Sequence, residues 1–471
     1  MDRLSALDAE FLHLEDTVSP MHIAGICVFA GTPPTMEELN DAVSAKLHAL
    51  PRYRQVVRSV PLELGRPIWV DDPAFHLDRH LHRAALPHPG GDAELDELMG
   101  RLMAHPLDRA RPLWEAWLVE GLNEDRWALV FKVHHCMVDG VAGVHLLEAF
   151  LDPSPEVPPL SPAAVSPWRP EPEPSPAAKV VGSWVGLAGD LVPWARRLAD
   201  AVTSPVDTLR SITDLGSGLG WGVAHLTPTP PLNIRGSIGA HRSWSHTTLD
   251  LGDVAKVRRR FGGTINDVLL TCVTAGYRAL LIAHGDDPDH AVVRTAVPVN
   301  VRDTSRHADN GNHVSALLIE LPVSLTDPVE RLSAVCQLTQ RAKASHMAQA
   351  AETLTILADL APPMAVGSIS RLAARVEHRL AQRSITTITT NVPGPPFPLY
   401  CLGREMLEEL PYLGLTEGVR VSTAILSYNG RISVGVTGDE GSVPDVRVAT
   451  DAVTRTLAEL VTAARRRTRT T

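Results

Sequence analysis

The sequence predicts an α/β protein, α+β in character, built as two similar halves around a shared central cleft. Three observations predict it. The chain has 471 residues, room for about two or three domains of roughly 150 residues each. Strand-like apolar runs alternate with helix-like patterns both before residue 151 and after residue 242. Between them, Asp152 to Pro176 holds ten prolines in twenty-five residues. Such a stretch prefers extended polyproline geometry and reads as a linker. The expected organisation is a first half at 1–151, a Pro-rich linker with an apolar helical crossover at 152–241, and a second half at 242–471.

The elements follow in order. Met21 to Ala30 is an uninterrupted apolar run and reads as a buried strand. Thr35 to Leu50 reads as a helix, because Thr35 followed three residues later by Glu38 makes a capping box. Asp92 to His105 is a second helix. Leu113 to Glu120 and Trp127 to Val133 are strands separated by the polar turn Asn123-Glu124-Asp125. Val141 to Leu151 is a helix. Ala177 to Leu226 carries apolar residues at helical spacing, with a kink expected at Pro193. Gly216 to Gly239 is rich in Gly and Pro and reads as loop. In the second half, Thr264 caps a long helix to His284. Val292 to Val299 and Val314 to Pro322 are strands, and Pro328 to Leu380 is mostly helical. Ser384 to Asn391, Val419 to Tyr428 and Arg431 to Thr437 are strands, and Asp445 to Arg465 is the last helix.

Composition excludes several classes. Hydrophobic residues are 44% and charged residues 21%, ordinary for a globular chain and wrong for a disordered or fibrous one. The net charge of −10 lacks the basic footprint of a nucleic-acid binder, so no nucleic-acid partner is expected. The cysteines at 27, 136, 272, 336 and 401 are scattered, with no CxxC pair. Neither a disulfide framework nor a structural zinc site is expected. The N-terminal segment has no apolar core of signal-peptide type, and no uncharged apolar stretch is long enough to span a bilayer.

The densest chemistry lies in Phe131 to Gly143, FKVHHCMVDGVAG, where His134, His135, Asp139 and Gly140 follow a hydrophobic strand. Imidazole titrates near neutral pH, so a cleft histidine can take a proton from a hydroxyl nucleophile. A carboxylate can fix a loop or a histidine tautomer, and Gly140 permits close backbone approach. The residues alone leave other readings open. Adjacent histidines at a strand end are often hydrogen-bonded core, and His135, Asp139 and His145 form a possible metal set.

His134-His135-Cys136-Met137-Val138-Asp139-Gly140 matches the HHxxxDG signature of CoA-dependent acyltransferases and peptide-synthetase condensation domains. The opening LSALDAEFLHLED, Pro112-Leu113-Trp114, Pro231-Leu232-Asn233 and Thr264-Ile265-Asn266-Asp267-Val268 resemble, in order, the bacterial wax ester synthase/acyl-CoA:diacylglycerol acyltransferase family. So do Val297 to Arg302, Gly311 to Ser315, Asn391-Val392-Pro393-Gly394-Pro395 and Leu426-Ser427-Tyr428. The resemblance covers nearly the whole chain. It implies a fold of two chloramphenicol-acetyltransferase-like halves, each a mixed sheet with helices.

It also implies roles. His135 is the general base that deprotonates an acceptor hydroxyl, whose oxygen attacks the acyl-CoA thioester without an acyl-enzyme. His134 is supporting, Asp139 holds the loop through an ion pair, and Cys136 is packing. A tetrahedral intermediate needs an oxyanion donor; Asn266 is the candidate and Asp267 supports that helix start, although Asn-Asp at a helix start is also ordinary capping chemistry. Pro112, Leu113 and Trp114 are the candidate substrate-binding residues, with core packing as the other reading for Trp114.

The expected activity is esterification of diacylglycerol to triacylglycerol with long-chain acyl-CoA. A fatty alcohol acceptor giving wax ester is the alternative, and a conjugating acyltransferase of condensation type is more distant. A non-catalytic lipid-surface protein is the reading from outside enzymology, and the intact His135, Asp139 and Gly140 argue against it. No cofactor is expected, acyl-CoA being a substrate, and no metal. The expected location is cytoplasmic, peripherally attached to the inner membrane surface or to lipid bodies. The 177–214 segment with Trp184 and Trp194, and the tail Arg465 to Arg469, are the candidate lipid contacts.

Overall fold

The computed structural model describes residues 2–61, 64–137, 150–156, 168–182, 185, 229–300, 314–344 and 384–466. Asp139, Gly140, His145, Trp184, Pro193, Trp194, 301–313 and the end of the Arg-rich tail lie outside the described residues, as does most of the helix expected at 141–151.

The first half runs β1 (Asp2–Arg3), α1 (Ala6–Leu14), β2 (His22–Ala30), α2 (Met36–Leu47), β3 (Gln55–Arg58), β4 (Ile68–Asp71), β5 (Leu81–Ala85), α3 (Asp92–Ala104), β6 (Trp114–Leu122) and β7 (Arg126–His134). The capping box at Thr35 forms: the Glu38 N–H donates to Thr35 Oγ1 and the Thr35 N–H to Glu38 Oε2. A cap of this type contributes about 0.5–2 kcal/mol. The polar turn forms between β6 and β7, with Glu124 and Asp125 at φ 59° and 50°.

The second half runs β8 (Arg235–Gly236), β9 (Arg242–Asp250), α4 (Leu251–Phe261), α5 (Ile265–Ala283), β10 (Val293–Asn300), β11 (Val314–Leu321), α6 (Pro328–Ala344), β12 (Thr387–Pro393), β13 (Tyr400–Cys401), β14 (Arg404–Leu413), β15 (Gly418–Val419), β16 (Val421–Tyr428), β17 (Arg431–Asp439) and α7 (Arg447–Arg466). Helix α5 is long and apolar enough to cross a membrane by length and composition, but most of it is buried inside the protein. Leu269, Leu270, Val273, Leu280 and Leu281 belong to the core of this half together with α7 residues such as Val453 and Leu460.

Each half carries a six-stranded sheet. The first is ordered β13-β14-β2-β7-β6-β5 and the second β11-β10-β12-β16-β17-β9. Strand β14 comes from the second half of the sequence, yet it pairs antiparallel with β2, from Met406 opposite Phe29 to Leu413 opposite Ile23. The halves thus share a strand.

Two glycines permit the backbone approaches that fasten the halves. A Cβ on Gly435 of β17 would lie 2.1 Å from the Pro411 carbonyl oxygen of β14. A Cβ on Gly100 of α3 would lie 2.4 Å from the Arg242 carbonyl oxygen of β9. Beside the second contact, Asp96 of α3 accepts a hydrogen bond from His246 Nδ1 at 2.7 Å. A polar cleft of about 500 Å³ opens there, lined by groups including Asp92, Arg126, His246, Glu408, Arg447 and Asp451.

The described end of the proline-rich segment lies against the small sheet β1-β4-β3. The Glu171 N–H donates to Asp71 Oδ2 at 3.0 Å. Arg54 sits 4.9 Å over the Trp168 ring, and Glu173 pairs with Lys179 and, at 3.7 Å, with Arg58. The segment fills no core but is pinned to the surface at several points.

Candidate active site

Strand β7 sits between β2 and β6 in the first sheet and ends at the histidine pair. Its two faces alternate. Phe131 and Val133 join the core that holds Trp114, and Val130 joins the core under α3. Lys132 is 1% exposed and donates through Nζ to the carbonyls of Leu102, at 3.1 Å, and His105. His22 Nε2 lies 3.1 Å from the Met103 carbonyl. The last carbonyls of α3 therefore face donors from the sheet, where the helix dipole favours positive charge. Burial nevertheless pulls the Lys132 pKa down to about 8, and burial drives His22 well below the usual imidazole value.

His134, opposite His22 across β2 and β7, is fully buried. Its N–H donates to the Leu113 carbonyl at 2.9 Å. Its Nδ1 accepts from the Cys136 N–H at 3.0 Å, which puts the ring proton on Nε2. That Nε2 lies 3.5 Å from Glu15 Oε1. His134 is thus committed at Nδ1, while its buried Nε2 faces Glu15 without forming a hydrogen bond among the described residues.

His135 begins a short 3₁₀ turn, His135–Met137. It is only half buried. Its N–H donates to the Met21 carbonyl at 2.8 Å. Its ring stacks on Phe11 of α1, with centroids 4.2 Å apart and planes 24° from parallel. Backbone and ring are both held while part of the side chain stays accessible, as a general base requires. Cys136 beside it is 3% exposed, and burial pushes its thiol far above the usual range. A thiol that cannot ionise is no nucleophile, so Cys136 packs.

Glu15 caps the C-terminus of α1 and has a side chain 7% exposed. Its Oε1 accepts from the Met21 N–H at 3.3 Å, and its Oε2 from Arg109 Nε at 2.6 Å. Arg109 also donates to the Leu12 carbonyl at 2.6 Å. Burial opposes ionisation of Glu15, but His134 and Arg109 together outweigh it and hold the carboxyl below the usual range.

In the second half, Asn266 in the first turn of α5 accepts at Oδ1 from Asn391 Nδ2 of β12 at 2.9 Å. This contact joins two of the family-like segments and leaves the Asn266 NH₂ as the donor end of its amide. Asp267 is buried and saturated. Its Oδ2 accepts from the Thr264 N–H and hydroxyl, each at 2.8 Å, and its Oδ1 from Thr339 at 2.7 Å. Its place is the helix start. The hydroxyls of Tyr277, Thr387 and Thr423 meet between α5, β12 and β16 and tie the three elements together.

Pro112, Leu113 and Trp114 present no open surface. Leu113 and Trp114 are each 1% exposed, and Pro112 is buried too. Trp114 Nε1 donates to the Tyr53 carbonyl at 2.9 Å, and its ring stacks on His80 at 4.7 Å. The apolar cavity it borders, with Leu39, Phe131 and Phe150, holds only about 20 Å³. Trp114 is packed as core, and the segment reaches the site through the Leu113 carbonyl on His134. Met137, two residues after His135, and Val392, next to Asn391, both pack against the apolar cluster that holds Trp114. Glu15, Arg109 and Phe11 are the site residues that sequence reasoning missed as individuals, although Phe11 and Glu15 lie in the family-like opening segment.

Two mixed-sheet halves sharing a strand, with paired histidines at the end of a central strand, define a two-halved acyltransferase of the condensation-domain fold. The wax ester synthase/diacylglycerol acyltransferase catalytic domain model matches residues 4–269, and that family's C-terminal domain model matches residues 310–461. The chain belongs to the wax ester synthase/diacylglycerol acyltransferase family. It is 35% identical over 470 residues to the probable diacylglycerol O-acyltransferase tgs1 of Mycobacterium tuberculosis, covering 99% of this chain and 97% of the relative. It is 33% identical to another putative diacylglycerol O-acyltransferase of that organism, Rv1760, covering 98% and 90%. Among solved structures, the wax ester synthase/diacylglycerol acyltransferase of Marinobacter aquaeolei superposes with a TM-score of 0.69 at 24% identity, covering 98% of this chain and 99% of that one. A starter condensation domain of rhizomide synthetase in complex with C8-CoA superposes at 0.56 and 13% identity, covering 98% and 94%. The expected family and fold are both borne out.

Proposed function

We propose that this acyltransferase moves a long acyl chain from CoA to the free hydroxyl of diacylglycerol, giving triacylglycerol. The observation that carries the mechanism is His135 itself: half-exposed, stacked on Phe11 and anchored by its N–H to Met21. His135 takes the proton from the acceptor hydroxyl. The acceptor oxygen attacks the thioester carbonyl carbon, forming the new C–O bond. The tetrahedral oxyanion receives a hydrogen bond from the Asn266 NH₂. The C–S bond then breaks, and the CoA sulfur takes the proton from His135. No acyl-enzyme forms, which accords with the inert Cys136. For Asp139, which lies outside the described residues, the proposal keeps the ion-pair role that the family resemblance implies. Positioning and general-base catalysis contribute about 10²–10⁴ for the base alone.

Diacylglycerol is favoured over a fatty alcohol because relatives covered almost end to end bear diacylglycerol acyltransferase names. Such acceptors are almost insoluble, so the enzyme works at a lipid surface, the inner membrane face or a lipid body, without spanning it. Val181 and Val185, 61% and 66% exposed, present apolar surface for that contact. The test is release of free CoA by purified enzyme with one long-chain acyl-CoA and separate acceptors. The reading expects diacylglycerol to be preferred and triacylglycerol to form. Turnover with long-chain alcohols alone would reassign the chain to wax ester synthesis. Binding to lipid vesicles should weaken in Val181→Asp/Val185→Asp; undiminished binding places the contact elsewhere.

A further inference from the structure

Helix α1 and its cap reach both histidines, and the contacts are different for each. Phe11 supports the ring of His135. Glu15, from the end of the same helix, stands 3.5 Å from His134 Nε2. Among the described residues that Nε2 makes no hydrogen bond, and the Glu15 carboxylate is a close polar approach rather than a formed one. The same carboxylate oxygen accepts the Met21 N–H at 3.3 Å, and the Met21 carbonyl in turn accepts the His135 N–H at 2.8 Å. One carboxylate thus touches the first histidine through its ring and the second through a single intervening residue.

We infer that Glu15 is a positioning residue for the transfer reaction, supporting the Nε2–H tautomer that the Cys136 N–H sets on His134 and setting the backbone from which His135 projects. The assignment rests on the general-base reading of His135. The Cys136 N–H occupies His134 Nδ1 at 3.0 Å. With Glu15 at the other nitrogen, His134 offers no basic lone pair to the acceptor, so only His135 is left to serve as base. Arg109 holds Glu15 in place from its other oxygen at 2.6 Å and ties it to Leu12 of α1. This arrangement resembles the carboxylate orienter of other histidine bases in one respect: the acid accepts a hydrogen and moves no proton in the reaction. It differs in acting on the histidine that does not do the chemistry.

Three variants and one spectrum test this. Glu15→Met removes the acceptor at similar length, Glu15→Gln keeps an acceptor oxygen without the charge, and His135→Ala removes the base. Glu15→Met should lower kcat about 10- to 100-fold, the scale expected when a catalytic group is misplaced by about 1 Å. KM for acyl-CoA should stay within about twofold. Glu15→Gln should recover part of the lost kcat, because its amide oxygen can still serve the Met21 N–H and face His134 Nε2–H, although its NH₂ cannot accept from Arg109. A Glu15→Met enzyme with wild-type kcat, or a Glu15→Gln enzyme as slow as Glu15→Met, overturns the inference. Should Glu15→Met fail to fold, ¹⁵N-histidine spectra of the wild type decide. The His134 signals, identified by their loss in His134→Asn, should show protonated Nε2 and bare Nδ1 in the neutral ring; the opposite tautomer overturns it. An active His135→Ala enzyme would instead sink the general-base reading, leaving a distinct signature.

Discussion

Replacing Gly100 with Ala sets two physical effects against each other with opposite signs. Gly100 lies inside α3, and helix propensity alone favours Ala over Gly by about 1 kcal/mol. The added methyl, however, would sit 2.4 Å from the Arg242 carbonyl oxygen. Real carbon–oxygen contacts need roughly 0.6 Å more. The carbonyl has little room to retreat, because the Arg242 side chain is anchored to the carbonyls of Gly239, His241 and Val18. Overpacking of a rigid interior costs about 1–3 kcal/mol, and a backbone obstacle puts this case at the upper end. The net effect is destabilisation by about 1–2 kcal/mol, a melting temperature lower by roughly 1–4 °C, since the shift per kcal/mol falls as the chain lengthens beyond about 250 residues. Thermal melts followed by circular dichroism read it directly. CoA release measured well below the melt should also fall, because α3 is the element that ties the first half to β9. A Gly100→Ala protein that melts higher than wild type would show that propensity wins, and would refute the close approach between the halves.

Other outcomes follow from the same structure. His246 is pushed down by burial but raised further by Asp96, so it titrates above its ordinary value of 6.5. Burial also lifts the Asp96 carboxyl, but that shift acts in the acid range. The His246 contribution is therefore complete below pH 6.5 and lost as pH rises through the folded value. Wild type should lose more melting temperature than Asp96→Asn between pH 6 and 9, and equal losses would contradict the assignment. Asp96→Asn itself should lower the melting temperature at pH 6 more than at pH 9, because the unpaired His246 can relieve its charge by losing the proton. Cys136→Ala should keep catalysis within a few-fold, and iodoacetamide at pH 8 should leave wild type active; rapid inactivation protected by Cys136→Ala would make the thiol accessible. Chelation followed by desalting should leave turnover unchanged, since the proposed attack uses a base and an amide donor; loss restored by zinc would bring forward the His135, Asp139 and His145 set.

Much of the fold is legible in the chain because its central strands are strongly patterned. Ile26 to Phe29 is buried on both faces and shows as a continuous apolar run, and Val421 to Ile425 is likewise buried throughout, with Ser422 and Thr423 inside it. The shared strand β14 is not legible. Its apolar positions Met406, Leu410 and Tyr412 are interleaved with Glu405, Glu408 and Glu409, and Pro411 breaks the strand signal. Strand β9 is hidden for a related reason: RSWSHTTLD turns polar side chains to the cleft between the halves. The histidine pair announces itself because the two residues adjoin. Glu15 does not, because it meets His134 across 119 residues of chain and an ordinary surface-helix pattern gives no hint of it. Asn266 and Asn391 each stand out in a distinctive segment, but their hydrogen bond is set by the packing of α5 on β12, which local sequence does not encode.

The central claim is that His135 alone is the base. Its most direct test is the rate of CoA release from long-chain acyl-CoA and diacylglycerol by His135→Ala and His134→Ala, each compared with wild type at matched folded fraction. His135→Ala should fold normally and lose about 10²–10⁴ in kcat. His134→Ala should lose less in rate and more in melting temperature, because it empties a fully buried site. A His134→Ala enzyme that is folded and dead beside an active His135→Ala enzyme would contradict the account.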